Sequence, residues 1–301
     1  MNFMDIVVVG HLSRDLIITP ETKREALGGG TAYAMLAVTL DAFQAGIISK
    51  VGTDFEQEYW NTLKGSGLDL VGLQEAGSKS TRFVNKYDTT SNRIQMVEAI
   101  AEQITTEDFP DDYLDAKIIH FSPLTPNELD IDTIKLARSN AEITSIDVQG
   151  YVRLIDGSGV VVPRDWVERD EILSLVDVVK FHESELNMTI EGESELSAVS
   201  QVLNLGPRVV LVTHDRRGSV VYTRNEQIAI PLVRADAQID ATGCGDVYAI
   251  GFLLEYMRSS NLKQSGLFAA TCSSFNVETS GPYNFPSRLD VETRMHEYVE
   301  K

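Results

Sequence analysis

The sequence predicts a three-layer α/β fold, in which a doubly wound and mostly parallel sheet carries a small β-sheet lid. Short β-branched runs alternate with segments of helical periodicity along most of the chain. Such apolar runs suit parallel strands that are buried on both faces and joined by right-handed crossovers. Two polar, strand-like segments, 12–27 and 80–100, interrupt this alternation. We therefore interpret residues 1–301 as one domain into which two lid segments are inserted.

The elements of the core follow one another in a regular order. Apolar runs predict strands at 5–10, 45–52, 116–122, 141–148, 176–181 and 208–213. Helical periodicity predicts helices at 31–43, 55–66, 127–140, 166–174, 193–205 and 246–258. In an open sheet of this kind ligands bind at the carboxyl ends of the strands.

The two polar segments leave two interpretations open. The longer one, 80–100, contains two strand-like pieces around the turn-forming sequence DTTSN at 88–92. Together with 12–27 it either forms a small sheet over one edge of the core or consists of ordinary surface hairpins. A small sheet above the ligand site would act as a lid that excludes water from the reaction.

The composition excludes several kinds of protein. Lys and Arg number 26 and Asp and Glu number 45, which gives a formal net charge of −19. So acidic a chain is unsuited to nucleic acid or to an anionic membrane surface, and we expect neither partner. The N-terminal residues lack the basic and long apolar regions of a signal peptide, and the sequence shows no long apolar span and no metal-type cysteine spacing, so we expect a cytoplasmic protein. Motifs of P-loop enzymes and of dinucleotide-dependent oxidoreductases are also missing.

One stretch, QIDATGCGDVYAIGFLLEYM at 238–257, combines features that favour phosphoryl transfer. Gly243 and Gly245 stand at the entrance of a predicted helix, where backbone N–H groups and the helix dipole create an anion hole. Asp246 follows in the first turn, where it would accept the proton of a hydroxyl group that attacks a bound phosphoryl group. The alternative is purely structural: the acid caps a helix that follows a glycine turn.

Three motifs, in order along the chain, resemble those of a known family. DATGCGD (240–246) resembles the D-T-A-G-A-G-D signature of the ribokinase-like, or PfkB, carbohydrate kinases. LGGGTAYAMLAVTLDAFQAGIISKVGTD (27–54) is similar to the N-terminal signature of that family, and VVLVTHDRRGSVVY (209–222) to its T-x-G-x-x-G nucleotide loop. The resemblance extends from about residue 5 to residue 290. It implies an ATP-dependent kinase of carbohydrates or polyols that uses Mg²⁺.

The resemblance also implies roles for individual residues. The implied catalytic base is Asp246. The residues whose backbone amides would form the anion hole are Gly243, Cys244 and Gly245. The residues that would contact the nucleotide are Thr213, Gly218, Gly243, Gly245 and, at the adenine, Asn276. The residues that would bind the acceptor together with Asp246 are Asp15, Gly28, Gly29, Gln149 and Arg153.

A further segment narrows the range of acceptor molecules that the resemblance implies. SIDVQGYVR at 145–153 is similar to the D-x-Q-G-[FY]-x-R segment of archaeal myo-inositol kinases, where Gln and Arg lie at the acceptor pocket. Gln offers a donor and an acceptor to a ring of hydroxyl groups, and Arg153 offers a planar donor fork that can also hold phosphate in catalysis. The favoured acceptor is therefore myo-inositol or a related cyclitol. The alternatives are a nucleoside or furanose sugar (ribose, fructose or cytidine), or a non-catalytic ligand-binding protein of the same fold.

The chain departs from the family pattern at several positions. The N-x-x-E segment that orders the Mg²⁺ water shell begins here with His182 but retains Glu185, which is the expected metal contact through water. Asp215 replaces the first glycine of the nucleotide loop, and Asp tolerates left-handed turns. Tyr33 replaces an Asn that is common in sugar kinases, which weakens a ribose or fructose assignment. The resemblance leaves open whether a monovalent cation is needed. It also suggests a homodimer whose chains contact each other through the lid. The candidate dimer contacts are Phe83, Val84 and Ile94.

Overall fold

A computed structural model of the chain describes residues 4–88 and 93–299. Of the turn predicted at 88–92, only Asp88 lies among the described residues. In chain order the strands are β1 (Ile6–Val9), β2 (Ser13–Ile18), β3 (Lys23–Gly28), β4 (Ala45–Val51), β5 (Asp69–Glu75), β6 (Thr81–Tyr87), β7 (Arg93–Ala99), β8 (Ile118–Phe121), β9 (Ile143–Asp147), β10 (Arg153–Ile155), β11 (Val161–Pro163), β12 (Val178–His182), β13 (Val209–Thr213), β14 (Ser219–Tyr222) and β15 (Gln227–Ile230). The α-helices are α1 (Met35–Thr39), α2 (Gln57–Gly65), α3 (Asp111–Leu114), α4 (Ile131–Asn140), α5 (Arg169–Ser174), α6 (Glu183–Thr189), α7 (Glu195–Leu205), α8 (Cys244–Ser259), α9 (Leu262–Asn276) and α10 (Arg288–Val299).

The main sheet has the strand order β15-β14-β13-β12-β9-β8-β1-β4-β5. The strands from β13 to β5 pair in parallel, whereas β14 and β15 at one edge pair antiparallel. The six strands predicted from apolar runs are the contiguous central strands, from β13 to β4. The predicted α/β fold with a mostly parallel sheet is confirmed.

Successive residues of the central strands enter two separate cores. In β1, Ile6 and Val8 belong to one core, and Val7 and Val9 belong to the other. Helices α1, α2, α8, α9 and α10 supply the first core, and α3 to α7 supply the second. Because both faces of the sheet are covered, its central strands consist mostly of apolar residues in nearly continuous runs rather than at alternate positions.

The second sheet has the strand order β3-β2-β6-β7. It consists of two antiparallel hairpins joined by the parallel pair β2–β6. Asp15 of β2 is the register partner of Phe83 of β6, so both side chains point to one face of this sheet. The predicted small sheet is thus confirmed, while its action as a lid and the single-domain organisation stay predictions.

The structure differs from the prediction at one expected helix and at several elements that were not predicted, among them β5, the edge strands β14 and β15, and the hairpin β10–β11. The helix predicted at 31–43 is a 3₁₀ turn, Ala32–Ala34, followed by the short α1. It ends because Asp41 adopts a left-handed φ of 62°, and the N–H of Ala42 then donates to the Ala37 carbonyl at 3.1 Å. The hairpin β10–β11 was not predicted, since strands of three residues carry too little alternation to be seen in a sequence. Among the described residues, no helix combines the length and apolar character needed to cross a bilayer.

Candidate active site

The residues singled out from the sequence gather mainly at one edge of the main sheet, where its parallel strands end. Ser122 follows β8, Asp147 ends β9, His182 ends β12 and Thr213 ends β13. The small sheet begins at the same edge, with Ser13, shortly after β1 ends. This is the edge at which open α/β sheets bind their ligands.

The glycine turn before α8 requires its glycines. Gly243 precedes the helix with a φ of 79°, a conformation that favours glycine. A Cβ on Gly243 would lie 1.9 Å from Cζ of Tyr33, whose hydroxyl donates to the Thr242 carbonyl at 3.2 Å. Tyr33 thus packs directly against the turn. Any larger residue at Gly243 would displace the backbone that leads into the helix.

The structure shows how the backbone amides of the predicted anion hole are engaged. The N–H of Cys244 donates to the Ala241 carbonyl at 3.3 Å and is therefore already engaged. The helix itself offers no partner for the N–H groups of Gly245 and Asp246, because they belong to its first turn. The amides of Gly245 and Asp246 are therefore candidates for binding an anion, and the anion hole itself stays a prediction. Burial raises the pKa of the Cys244 thiol to about 11, as suits a packing role.

Asp246 is a buried carboxylate with an exposed fraction of 9%. Its Oδ1 accepts a hydrogen bond from Ser122 Oγ at 2.9 Å. Burial raises the pKa of Asp246 to about 6, and the charge of Asp147 adds to this rise, whereas Lys180 and Ser122 oppose it. Asp246 is therefore ionised at neutral pH yet more basic than an ordinary aspartate, which is what a general base requires.

Lys180 lies inside the apolar run of β12 and forms a buried ion pair. Its Nζ donates to Asp147 Oδ2 at 2.8 Å, and a Cβ on Gly245 would lie only 2.7 Å from the same Nζ. Burial opposes the charge of Lys180, but Asp147 and Glu185 outweigh it and raise its pKa. Burial likewise opposes the charge of Asp147, and Lys180 nevertheless lowers its pKa. The ion pair therefore places a fixed positive charge against the glycine turn.

The glycine segment after β3 runs between two carboxylates. A Cβ on Gly28 would lie 2.7 Å from Asp15 Oδ2, and a Cβ on Gly30 would lie 2.6 Å from Asp246 Oδ1. One short backbone segment therefore touches both acids, and side chains on it would fill the space beside them. Two carboxylates of different elements, β2 and α8, thus lie against one short backbone segment.

Asp15 stands on the inner side of the small sheet. Ser13 Oγ donates to its Oδ1 at 2.7 Å. Burial raises the pKa of Asp15 to about 6, while Ser13 and the nearby Arg153 oppose the rise. Gly29, also a predicted acceptor contact, has a φ of 90°, and a Cβ there would lie 2.2 Å from the His11 carbonyl oxygen, so this position requires glycine.

Arg153 joins three parts of the site. Its Nη2 donates to Gln149 Oε1 at 2.7 Å, and its Nη1 donates to the Leu124 carbonyl at 3.3 Å. The guanidinium carbon lies 5.9 Å from the ring centroid of Phe83 in the small sheet. The N–H of Gln149 in turn donates to Asp147 Oδ1 at 3.0 Å. The structure therefore brings the predicted pair Gln149 and Arg153 together, beside Asp147 and below the small sheet.

The predicted nucleotide loop is the turn between β13 and β14. Thr213 Oγ1 donates to the Phe181 carbonyl at 3.3 Å. Asp215 takes the left-handed conformation expected of it, with a φ of 46°. Gly218 has a φ of 87°, and a Cβ there would lie 2.3 Å from the Ile230 carbonyl oxygen. The departure from glycine at Asp215 is thus accommodated, whereas Gly218 has no substitute.

Asn276, the expected adenine contact, lies at the end of α9 behind the glycine turn. Its Nδ2 donates to the Thr242 carbonyl at 2.9 Å. Its side chain is 4% exposed, and its Oδ1 has no hydrogen-bond partner within the described chain. The amide nitrogen therefore stabilises the turn, Oδ1 is buried without a hydrogen bond from the described residues, and the adenine contact stays a prediction.

The expected metal contact, Glu185, is held by the start of α6. Its Oε2 accepts the N–H of His182 at 2.6 Å, which leaves Oε1 without a hydrogen bond from the described residues. Burial raises the pKa of Glu185. His182, Glu183 and Asp215 also carry possible ligand atoms within 4.8 Å of one another. Oxygen ligands such as Glu185 Oε1 are those that hydrated Mg²⁺ prefers, so the residues fit this ion.

Sequence reasoning missed three residues of the site: Ser122, Lys180 and Gly30. Each carried a signal that could have been used. Ser122 follows a buried strand at its carboxyl end, and Lys180 is a charge inside an apolar run, which demands a partner. Gly30 extends the glycine pair that was recognised.

The fold and this arrangement of residues are those of a small-molecule kinase. The profile of the pfkB family carbohydrate kinases matches residues 4–288. The chain therefore belongs to the PfkB family. The proteins that are similar to it include sugar and nucleoside kinases.

Several known proteins are similar to this chain over nearly its whole length. The cytidine kinase of Thermococcus kodakarensis is 30% identical, with 87% of this chain and 91% of that protein covered. The nucleoside kinase of Methanothermobacter thermautotrophicus is 28% identical, with 92% and 90% covered. A pyrophosphate-dependent kinase of the ribokinase family, solved with a pyrophosphate analogue and myo-inositol, has a TM-score of 0.82 at 23% identity, with 96% and 99% covered. An Escherichia coli protein of the same fold was solved with ATP and Mg²⁺.

Proposed function

We propose that this kinase transfers the γ-phosphoryl group of ATP to a hydroxyl group of a small polyol, with Asp246 as the base. The observation that carries the proposal is the pair of carboxylates, Asp15 and Asp246, at the two ends of the segment Gly28–Gly30. Asp246 stands beside a helix N-terminus, which attracts phosphate. Asp15 can accept hydrogen bonds from neighbouring hydroxyl groups of the acceptor.

The proposed transfer is a direct displacement. Asp246 takes the proton of the acceptor hydroxyl as its oxygen forms a bond to the γ-phosphorus. The bond between that phosphorus and the β–γ bridging oxygen breaks, and ADP leaves. The N–H groups of Gly245 and Asp246, with the ammonium of Lys180 beside them, stabilise the charge of the transferring group. Ser122 holds the carboxylate of Asp246 in one orientation.

The remaining charges of the site suit phosphate and metal. Arg153 carries a planar fork that binds phosphate or hydroxyl oxygens. Mg²⁺, when bound, offsets the charge of the nucleotide phosphates, and Glu185 is the residue that would hold its water shell. Thr213 and Gly218 are proposed to line the nucleotide. We assign no residue to a monovalent cation.

For the acceptor, we first propose myo-inositol or a related cyclitol. Gln149 and Arg153 support it, because their hydrogen bond at 2.7 Å presents an amide and a guanidinium side by side to a ring of hydroxyl groups. The likeness in fold to a kinase that binds myo-inositol agrees with this choice.

A nucleoside is the second candidate acceptor. The observation in its favour is the 30% identity to a cytidine kinase and the 28% identity to a nucleoside kinase. A ribose ring also offers two neighbouring hydroxyl groups to Asp15, so the same carboxylates would serve either acceptor.

The test is phosphorylation of myo-inositol, cytidine, adenosine, ribose and fructose by purified protein with Mg²⁺, using ATP and, separately, pyrophosphate. We expect turnover with ATP, greatest for myo-inositol, and a loss of about 10³-fold in Asp246→Asn, since a general base contributes at this scale. Asp177→Asn is the matched control, because Asp177 is also buried but precedes β12, at the opposite ends of the parallel strands.

The outcomes separate the parts of the proposal. Turnover of cytidine or adenosine alone would replace the cyclitol by a nucleoside and keep Asp246 as the base. Full turnover in Asp246→Asn would remove Asp246 from the mechanism. Turnover only with pyrophosphate would replace ATP as the donor.

A cytoplasmic location and a homodimer through the small sheet are further proposals. The two free cysteines, Cys244 and Cys272, suit a reducing compartment. For the dimer, Ile94 is 57% exposed and available to a second copy. Phe83 and Val84, by contrast, are only 2% and 3% exposed, so they are already packed within the chain and do not serve as dimer contacts.

A further inference from the structure

A buried carboxylate, Glu128, fastens the loop between β8 and α4. Its exposed fraction is 0%. Its Oε1 accepts the N–H of His11 at 2.6 Å, and its Oε2 accepts the N–H groups of Leu124 and Thr125 at 2.9 and 3.2 Å. A buried carboxylate without such donors would be strongly unfavourable. Glu128 therefore ties the loop after β8 to the residue that leads from β1 into the small sheet.

The ring of His11 joins the other connections between the two sheets. Its Nε2 lies 3.0 Å from the Glu102 carbonyl oxygen, which can only accept, so Nε2 donates. Its Nδ1 lies 2.8 Å from Thr81 Oγ1, and the same hydroxyl accepts the N–H of Ala101 at 3.0 Å. His11 precedes β2, Thr81 begins β6, and Ala101 and Glu102 follow β7. The segments that lead into β2 and β6 and out of β7 thus contact one another around the imidazole of His11.

The loop that Glu128 fastens also touches the proposed catalytic groups. Ser122 Oγ donates to Asp246 Oδ1 at 2.9 Å, and the Leu124 carbonyl accepts from Arg153 at 3.3 Å. Packing around the loop is tight, because a Cβ on Gly10 would lie 2.5 Å from the Ser122 carbonyl oxygen and 3.2 Å from Glu128 Oε1. A displacement of Glu128 would therefore shift both Asp246, the proposed base, and the guanidinium of Arg153.

We propose that His11 and Glu128 form the hinge of the lid, and that Glu128 is a positioning residue for phosphoryl transfer. The small sheet pivots where His11 and Thr81 enter it. Glu128 links the position of the small sheet to the loop that carries Ser122 and Leu124. Asp246 and Arg153 are therefore aligned when the lid closes. This inference rests on the proposed role of Asp246 as the base.

The test compares Glu128→Gln with Glu255→Gln in the full-length protein. The amide side chain of the first variant would present an NH₂ group to N–H donors and so loosen the hinge without changing its size. Glu255 is a matched control, since it is 3% exposed and bound by Arg288 at 2.8 Å in a part of α8 outside the proposed site. In Glu128→Gln we expect kcat to fall about 10- to 100-fold with KM for ATP unchanged, because misplaced catalytic groups slow the chemical step. We also expect faster hydrogen exchange in β2 and β6.

We expect Glu255→Gln to lower thermal stability while leaving kcat and hydrogen exchange in the small sheet as in the unmodified protein. If Glu128→Gln fails to fold, Thr81→Val and Thr81→Ser take its place. Valine removes the hydroxyl that bridges His11 and Ala101, and serine retains it. Loss of kcat and faster exchange in Thr81→Val, with both restored in Thr81→Ser, would support the hinge.

Two results would overturn the inference. If Glu128→Gln behaves like Glu255→Gln in both kcat and exchange, Glu128 is only a structural residue. If exchange in the small sheet rises while kcat is unchanged, Glu128 only stabilises the small sheet, and the inference that it positions the catalytic groups is overturned. Failure of the proposed function is recognised separately, by full turnover in Asp246→Asn, and the exchange measurement does not depend on that result.

Discussion

At the scale of single residues, Asp246 is the group in which stability and proposed function oppose each other. Burial and the charge of Asp147 raise its pKa from an ordinary value of 3.8 to about 6. A carboxylate that binds its proton more tightly in the folded than in the unfolded chain destabilises the fold once it ionises. The same rise makes it a stronger base for the hydroxyl group of an acceptor.

The first prediction concerns the pH dependence of this residue. We expect kcat to fall as the pH drops through about 6, because the protonated carboxyl cannot accept a proton. Stability should change in the opposite direction: the native protein loses stability between about pH 4 and pH 6 as Asp246 ionises, whereas Asp246→Asn does not. At pH 7.5 the variant should be more stable by about 2 to 3 kcal/mol, since one pKa unit corresponds to roughly 1.4 kcal/mol.

Thermal unfolding of both proteins at pH 5 and pH 7.5 measures this difference. A stability gain in Asp246→Asn that is larger at pH 7.5 than at pH 5 agrees with the prediction. A gain of the same size at both values would contradict a raised pKa at Asp246. Asp177→Asn again serves as the control, because Asp177 is bound by Arg138 at 2.7 Å and its loss should destabilise the protein.

At the scale of elements, the segment Gly28–Gly30 lies between Asp15 and Asp246, the two carboxylates proposed to bind the acceptor. Its lack of side chains allows both carboxylates to lie against its backbone. A Cβ on Gly30 would lie 1.9 Å from Ser122 Oγ and 2.6 Å from Asp246 Oδ1. Neither atom can retreat freely, because each is the partner of the other in a hydrogen bond. Gly30 is therefore required by the close contact with Ser122 and Asp246 rather than by the flexibility of the chain.

The second prediction tests this with Gly30→Ala. We expect kcat to fall by at least about 10-fold and stability by about 1 to 3 kcal/mol, because the methyl group overpacks the contact between Ser122 and Asp246. Gly65→Ala is the matched control: a Cβ there would meet nothing within 4 Å at the end of α2, so it should be neutral or stabilising by up to about 1 kcal/mol. Steady-state kinetics and thermal unfolding decide, and a normal kcat in Gly30→Ala would show that the site has room for a side chain.

The elements also differ in how far the sequence predicts them. The central strands were predicted because burial on both faces leaves a continuous apolar run, whereas the two-stranded β10–β11 and the antiparallel edge strands were not. The proposed roles of Asp246 and Asp15 were predicted from short local motifs. Ser122, Lys180 and Glu128 were missed because their partners are 124, 33 and 117 residues away, and only the folded chain brings them together.

At the scale of the whole molecule, the charge of the chain works against its folded state. The formal net charge is −19 and the isoelectric point is about 4.6, so acidic groups are crowded together on folding. The basic groups of the proposed site do not relieve this crowding, since Lys180 is buried and paired with Asp147. Repulsion among excess like charges destabilises a compact state, and dissolved salt screens it.

The last prediction follows from the sign of that charge. At pH 7.5 we expect the melting temperature to rise by several degrees when NaCl increases from about 0.01 M to about 0.3 M, because the Debye length falls from about 30 Å to well below 10 Å. Surface ion pairs are weakened by the same salt, but 45 acidic groups against 26 basic groups leave repulsion as the larger effect. The measurement carries its own control, since at pH 5 the chain is close to its isoelectric point and the same addition should change the melting temperature far less. An equal rise at both pH values would mean that salt acts through burial of apolar surface, and a fall at pH 7.5 would mean that ion pairs rather than net charge dominate the electrostatic stability of the protein.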